Sequence, residues 1–176
     1  MNRKNWQTYI ERQHPDYGKT VLPVHFAADM VVVIPCYNEP GLFTTLHSLL
    51  EAMPPKIRIA TVIVFNSSVR STREGILQNR KSFEEARAFA ATHNTKEQYF
   101  LPLLFEELPR KHAGVGLARK IGMNLAVQHF FSTGNEQGVI VSLDADCTIS
   151  VNFLTSIYQA FLRNNRYCTI SVQRNN

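Results

Sequence analysis

Residues 30–34, Met-Val-Val-Val-Ile, form an apolar run with no alternation. A strand with one wet face alternates apolar and polar side chains. An unbroken β-branched run is a strand covered on both faces, which is the condition of a parallel sheet sandwiched by helices. "IRIATVIVF" (57–65) and "GVIVSLD" (138–144) repeat the pattern. "YFLPLLFEEL" (99–108) is a weaker strand dented by Pro102, and "YCTISVQ" (167–173) a last one. Helical periodicity fills each gap. The order β-α-β-α-β-α-β-α-β predicts an α/β fold: a mostly parallel, doubly wound, Rossmann-like sheet with helices on both faces.

Local signals set the expected boundaries. Pro35 should end the first strand, and Asn38, Glu39 and Pro40 read as cap, acidic first turn and N1 proline of a helix. Leu42, Phe43, Leu46, Leu49 and Leu50 give that helix one apolar face, and Pro54-Pro55 stops it. Ser71 to Glu74 reads as a capping box opening a helix to about Ala91. In "AGVGLARKIGMNLAVQHFF", Leu117, Ile121 and Leu125 form one row. Ala118, Gly122 and Ala126 form a second, of small residues suited to close packing on a sheet. A last helix, "SVNFLTSIYQAFLRN", is capped by Ser150. Residues 1–29 read as an N-terminal extension with a short helix around Trp6–Arg12, and 30–176 as one domain.

With 44% hydrophobic and 19% charged residues, the chain has the composition of a globular domain. Its three cysteines, Cys36, Cys147 and Cys168, match neither a disulfide framework nor a zinc spacing. They read as buried free thiols in a reducing compartment. The first eighteen residues hold no signal-peptide core, and no stretch has the length of a membrane span. The expectation is a cytoplasmic chain, with peripheral contact at the inner membrane left open. A net charge of +5 suits anionic ligands, but the basic residues are scattered. Without a basic stripe interleaved with aromatics, nucleic acid is not an expected partner.

Ligands of doubly wound sheets bind at the carboxyl ends of the strands. After the first strand stand Pro35, Tyr37, Asn38 and Glu39, either a capped helix start or ligand contacts. After the second stands Asn66, whose amide offers both a donor and an acceptor. Arg110, Lys111, His112, Arg119 and Lys120 bracket Gly114 and Gly116 at a helix entrance, where phosphate oxygens are favoured. After the fourth strand come Asp144 and Asp146. In extended chain the two carboxylates share one side. At about 4 Å they would repel by roughly 4 kcal/mol at an effective dielectric near 20, which calls for a proton, a basic side chain or a divalent cation. Mg²⁺ and Mn²⁺ favour carboxylate oxygens and complete their shells with phosphates.

These elements together resemble family 2 of the inverting glycosyltransferases with the GT-A fold, over roughly residues 30–174. The family's P-x-Y-N-E is matched by Pro35-Cys36-Tyr37-Asn38-Glu39. Its G-x-x-x-A-R-N-x-G reads here Gly114-Val115-Gly116-Leu117-Ala118-Arg119-Lys120-Ile121-Gly122, and its D-x-D reads Asp144-Ala145-Asp146. The resemblance implies a nucleoside-diphosphate sugar, UDP- or GDP-linked, as donor and a carbohydrate or lipid-linked acceptor, as in cell-surface polysaccharide biosynthesis. Pro35, Tyr37 and Glu39 would line base and ribose, with Asn38 and Gly114 beside them and Asn66 at the base. Arg119 would approach the nucleotide. Asp144 would lie near ribose and metal, and Asp146 would bind the Mn²⁺ or Mg²⁺ that bridges the diphosphate.

Two departures stand out. Where the family carries D-D-G-S this chain has Phe65-Asn66-Ser67-Ser68, which leaves the base preference open between uridine and another base. No residue matches the catalytic base, and only 30 residues follow Asp146, so the acceptor half is expected to lie in a longer enzyme. A non-catalytic nucleotide-sugar module is the alternative. A haloacid-dehalogenase-type phosphatase is another, since "VSLDADCT" matches D-x-D-x-T, with Asp144 as nucleophile and Asp146 as general acid.

Overall fold

A computed structural model describes residues 3–12, 21–52, 56–108 and 114–163. The predicted last strand (167–173), Pro54-Pro55, Arg110, Lys111, His112 and Cys168 lie outside them. The elements are α1 (Arg3–Glu11), β1 (Met30–Cys36), α2 (Leu42–Glu51), β2 (Ile59–Ser68), α3 (Arg73–His93), β3 (Gln98–Leu108), α4 (Val115–Thr133), β4 (Val139–Ser142) and α5 (Phe153–Leu162). No helix among the described residues is long and apolar enough to cross a membrane.

All four strands are parallel, in the order β3-β2-β1-β4. Helices cover both faces, as the unalternated strands require. On one face Leu42, Leu46 and Leu49 of α2, Ala86 and Phe89 of α3, and Leu154 and Ile157 of α5 pack on Val32, Ile34, Ile63 and Phe65. On the other, Ala118, Ile121, Leu125 and Phe130 of α4 pack on Val31, Val33 and Val62. Leu22, Phe26 and Ala28 join that second cluster, so the segment before β1 contributes to the core.

The small-residue row of α4 lies against β1, and a Cβ on Gly122 would overlap the buried Val33 side chain. A β-branched side chain held in a strand has nowhere to move. Gly122→Ala should therefore lower the denaturation midpoint by an amount corresponding to about 1–3 kcal/mol, despite the better helix propensity of alanine.

The boundaries correct several local expectations. β1 runs through Pro35 to Cys36 because its pairing with β2 continues to Phe65. The Val33 carbonyl accepts from Leu143 N–H, so alternate residues of β1 turn their backbone toward β4. Pro35 falls on that side, beyond the last β4 pair, where no N–H is required. α2 starts only at Leu42: Asn38 adopts φ +50°, and Glu39 caps from outside by accepting from Gly41 N–H at 3.0 Å. Thr72, not Ser71, caps α3, accepting from Gly75 N–H at 3.1 Å. α5 begins after Asn152, so Ser150 is not its cap. β3, expected to be weak, is the longest of the described strands at eleven residues. Pro102 is tolerated because β3 is the edge among the described strands.

His129 fastens the segment before β1. Its Nε2 accepts from the Ala28 N–H at 3.0 Å, so the ring must be neutral. Burial pushes its pKa down, helped by the Arg58 charge and opposed by the Leu22 carbonyl. A folded-state pKa below the unfolded value of about 6.5 gives stability that is present in full above that pH. It is lost as pH falls through the lower folded value. The melting temperature should therefore drop between about pH 7 and pH 5, and less steeply in His129→Gln.

Candidate active site

β4 and β1 part after Leu143, and the strand order reverses direction between the second crossover (β2 to β3) and the third (β3 to β4). This is the topological switch point of a doubly wound sheet. The gap is a cleft of about 410 Å³ lined by Pro35, Cys36, Tyr37, Glu39, Asn66, Val115, Arg119, Asp144, Ala145 and Asp146. Of the described residues singled out from sequence, Asn38, Gly114, Gly116 and Lys120 are not in this lining. Asn38 borders a neighbouring surface hollow with Arg73 and Lys81. Cys36, Val115 and Ala145 line the cleft without having been expected to.

Two asparagines hold the rim together. Asn79 of α3, 1% exposed, accepts from Asn38 N–H at 2.8 Å and donates to the Asn66 carbonyl at 3.0 Å. Asn66 in turn donates from Nδ2 to the Gly114 carbonyl at 3.0 Å. The loop after β1, the end of β2 and the entrance of α4 are thus stitched in series. Asn66 is 3% exposed and its donor is engaged, which makes it a fastener of the α4 entrance as well as a cleft residue. Asn79 had a legible signal: an amide among Gly75, Ser82 and Ala86 on the buried row of α3.

The motif over residues 114–122 divides into distinct physical tasks. Gly114 takes φ +146°, a conformation side chains disfavour, and its carbonyl also accepts from Ala118 N–H. Ala118 and Gly122 seat the helix on the sheet. Arg119 projects to the rim, donating from Nε to Ser142 Oγ at 3.0 Å and from Nη2 to Asp144 Oδ1 in a short ion pair. Tyr37 lies over the first turn of α3, where Gly75 leaves space for its hydroxyl, and is 43% exposed.

The acidic pair departs from extended geometry. Residues 145–146 form a turn in which Cys147 N–H donates to the Asp144 carbonyl at 3.3 Å. The carboxylates do come together, but by chain reversal and not by strand alternation. The turn also brings in Cys147, whose Sγ donates to Asp146 Oδ1 at 3.6 Å. One ligand atom from each of Asp144, Asp146 and Cys147 lies within 4.8 Å of the others. Thr45 of α2 donates to the Ala145 carbonyl at 2.8 Å, and Ser48 accepts from Ile149 N–H at 3.2 Å, so two buried hydroxyls anchor the turn to a helix. The charge of Asp144 is offset by Arg119, while Asp146 is exposed and has no cation beside it among the described contacts. Two hard oxygen donors at an open rim suit a divalent cation.

Cys36 is chemically quiet. Burial, and then the neighbouring Glu39 carboxylate, push its thiol up to about 12.

A comparison with curated proteins finds no match. The family model described as glycosyl transferase family 2 matches residues 31–176. That span holds all of the described sheet but Met30, and every lining residue of the cleft. With its parallel GT-A-type sheet and its acidic turn at the switch point, the chain belongs to glycosyl transferase family 2.

Proposed function

We propose that the cleft binds a nucleoside-diphosphate sugar through a divalent cation, Mn²⁺ or Mg²⁺, and that the domain over 30–176 serves its transfer, with inversion, to a carbohydrate or lipid-linked acceptor. The observation that carries this reading is the meeting of Tyr37, Glu39, Arg119, Asp144 and Asp146 in one cleft at the sheet's switch point. Tyr37 offers an exposed ring for the base, with Glu39 beside it for the ribose. Arg119 is held ready at the phosphate side by Ser142 and Asp144. Asp146, with Asp144, would hold the cation, which when bound offsets the charge of the departing diphosphate.

None of the three lining carboxylates is assigned as the inverting base. Glu39 is engaged with Gly41, Asp144 with Arg119, and Asp146 faces the cation position. A lipid-linked acceptor would place the chain peripherally on the cytoplasmic side of the inner membrane.

The test is equilibrium binding and turnover of labelled UDP- and GDP-sugars with and without Mn²⁺. Metal-dependent binding with transfer or hydrolysis supports the reading, and binding without turnover reduces it to a nucleotide-sugar module. Hydrolysis of a simple phosphate ester with no nucleotide binding would sink it.

A further inference from the structure

Among the described lining residues, three carboxylates, Glu39, Asp144 and Asp146, face a single guanidinium, Arg119. That guanidinium is already committed: Nε donates to Ser142 Oγ at 3.0 Å and Nη2 to Asp144 Oδ1. The two bonds differ in kind. Ser142 is a neutral hydroxyl at the end of β4, outside the cleft lining. Asp144 is a carboxylate at the proposed cation position. Its side chain is 40% exposed and that of Arg119 35%, so water screens their attraction and the pair parts easily. A divalent ion and a guanidinium on the two oxygens of one carboxylate would lie roughly 5 Å apart and repel. Loss of the Asp144 contact leaves the Ser142 bond in place. Because the guanidinium is a rigid plane, that one bond at Nε still restricts where Nη2 can point.

We infer that Arg119 is a latch on Asp144. It neutralises the carboxylate in the unliganded chain, yields it when a divalent cation binds, and then offers the freed Nη2 to the diphosphate while Ser142 keeps hold of Nε. The inference rests on the proposed cation role of Asp144 and Asp146. Ser142 is on this account a positioning residue, acting through Arg119 and touching neither cation nor nucleotide. The latch couples the two ligands: cation and Arg119 compete for one carboxylate, and the loser of that competition becomes a phosphate ligand. Cation binding thereby raises affinity for the diphosphate beyond what bridging alone supplies, and the coupling is reciprocal.

The experiment follows the arginine side-chain nitrogens of the ¹⁵N-labelled full chain by NMR, first with Mg²⁺ alone and then with UDP or GDP added. The Arg119 signals are those missing from R119K. Saturating Mg²⁺ should release the Nη groups of Arg119 into free rotation while Nε keeps its hydrogen-bonded shift, and the nucleotide should restrain the Nη groups again. Calorimetry supplies the second readout. Mg²⁺ affinity without nucleotide should rise about fivefold in R119Q, the upper end for a partly exposed ion pair. It should not rise in K120Q, which removes a neighbouring charge that has no described contact with Asp144. S142A should leave Mg²⁺ affinity within about twofold and weaken UDP or GDP at saturating Mg²⁺ by about two- to tenfold. Melting curves exclude loss of fold in the variants, and the wild-type spectrum carries the decisive signal. Arg119 Nη groups that stay restrained at saturating Mg²⁺ overturn the latch and leave the cation site standing. An equal gain in R119Q and K120Q does the same. Failure of Mg²⁺ to bind either the wild type or R119Q overturns the cation reading, and the latch with it.

Discussion

Asp146→Ala is expected to abolish the rise in melting temperature that Mn²⁺ and a nucleoside diphosphate together confer on the wild-type chain. A ligand at a hundred times its dissociation constant stabilises by about 2.7 kcal/mol. For a domain of this size that corresponds to roughly 5–11 °C. Asp146 is exposed at the end of the turn and caps no helix, so its removal should leave the unliganded melting temperature nearly unchanged. The contrast with Asp144 follows from the site. Asp144 is paired with Arg119, and its loss would also release that guanidinium from one of its two anchors. Melting curves with and without Mn²⁺ check the expectation, and an unchanged increment in Asp146→Ala would refute the metal assignment.

Asn79→Leu should be damaging although Asn79 lies outside the cleft lining. It removes both hydrogen bonds that tie the end of β1 to the end of β2 and leaves the buried Asn66 carbonyl without its partner. A buried polar group stripped of its partner costs about 1–3 kcal/mol. The melting temperature should fall by roughly 2–12 °C. Nucleotide binding should weaken as well, because Tyr37 and Glu39 lie on the loop that Asn79 restrains. Asn79→Asp separates the two contributions: it keeps the acceptor for Asn38 N–H but sets an oxygen against the Asn66 carbonyl. A denaturant midpoint for the aspartate variant close to that of the leucine variant would assign most of the effect to the Asn66 side.

Much of this architecture was legible in the chain. Val31 to Ile34 and Val62 to Phe65 carry no polar alternation, so both faces had to be covered, and helices on both sides were the available cover. Ala118, Gly122 and Ala126 announced a close helix–sheet contact through their size. Boundaries were less legible, because they turn on where a neighbouring strand stops. Pro35 marked the point at which β4 leaves β1, and the continuing partnership with β2 kept it within the strand. The capping signal at Asn38 misled because Asn38 turns into the left-handed region and hands its N–H to Asn79, forty-one residues away.

The candidate site divides along the same line. Position at the carboxyl ends of buried strands made Tyr37, Glu39, Arg119, Asp144 and Asp146 candidates, and the family resemblance supplied their expected roles. Their partners are long-range: Arg119 with Ser142 and Asp144, Asn79 with Asn38 and Asn66, Thr45 with the Ala145 carbonyl. No local pattern encodes contacts between residues 13 to 100 positions apart. Hydrophobic burial determined the sheet and its covering from sequence. Only the tertiary structure decided that Asp144 already has its counter-charge, and that a turn sets the sulfur of Cys147 beside the oxygen of Asp146.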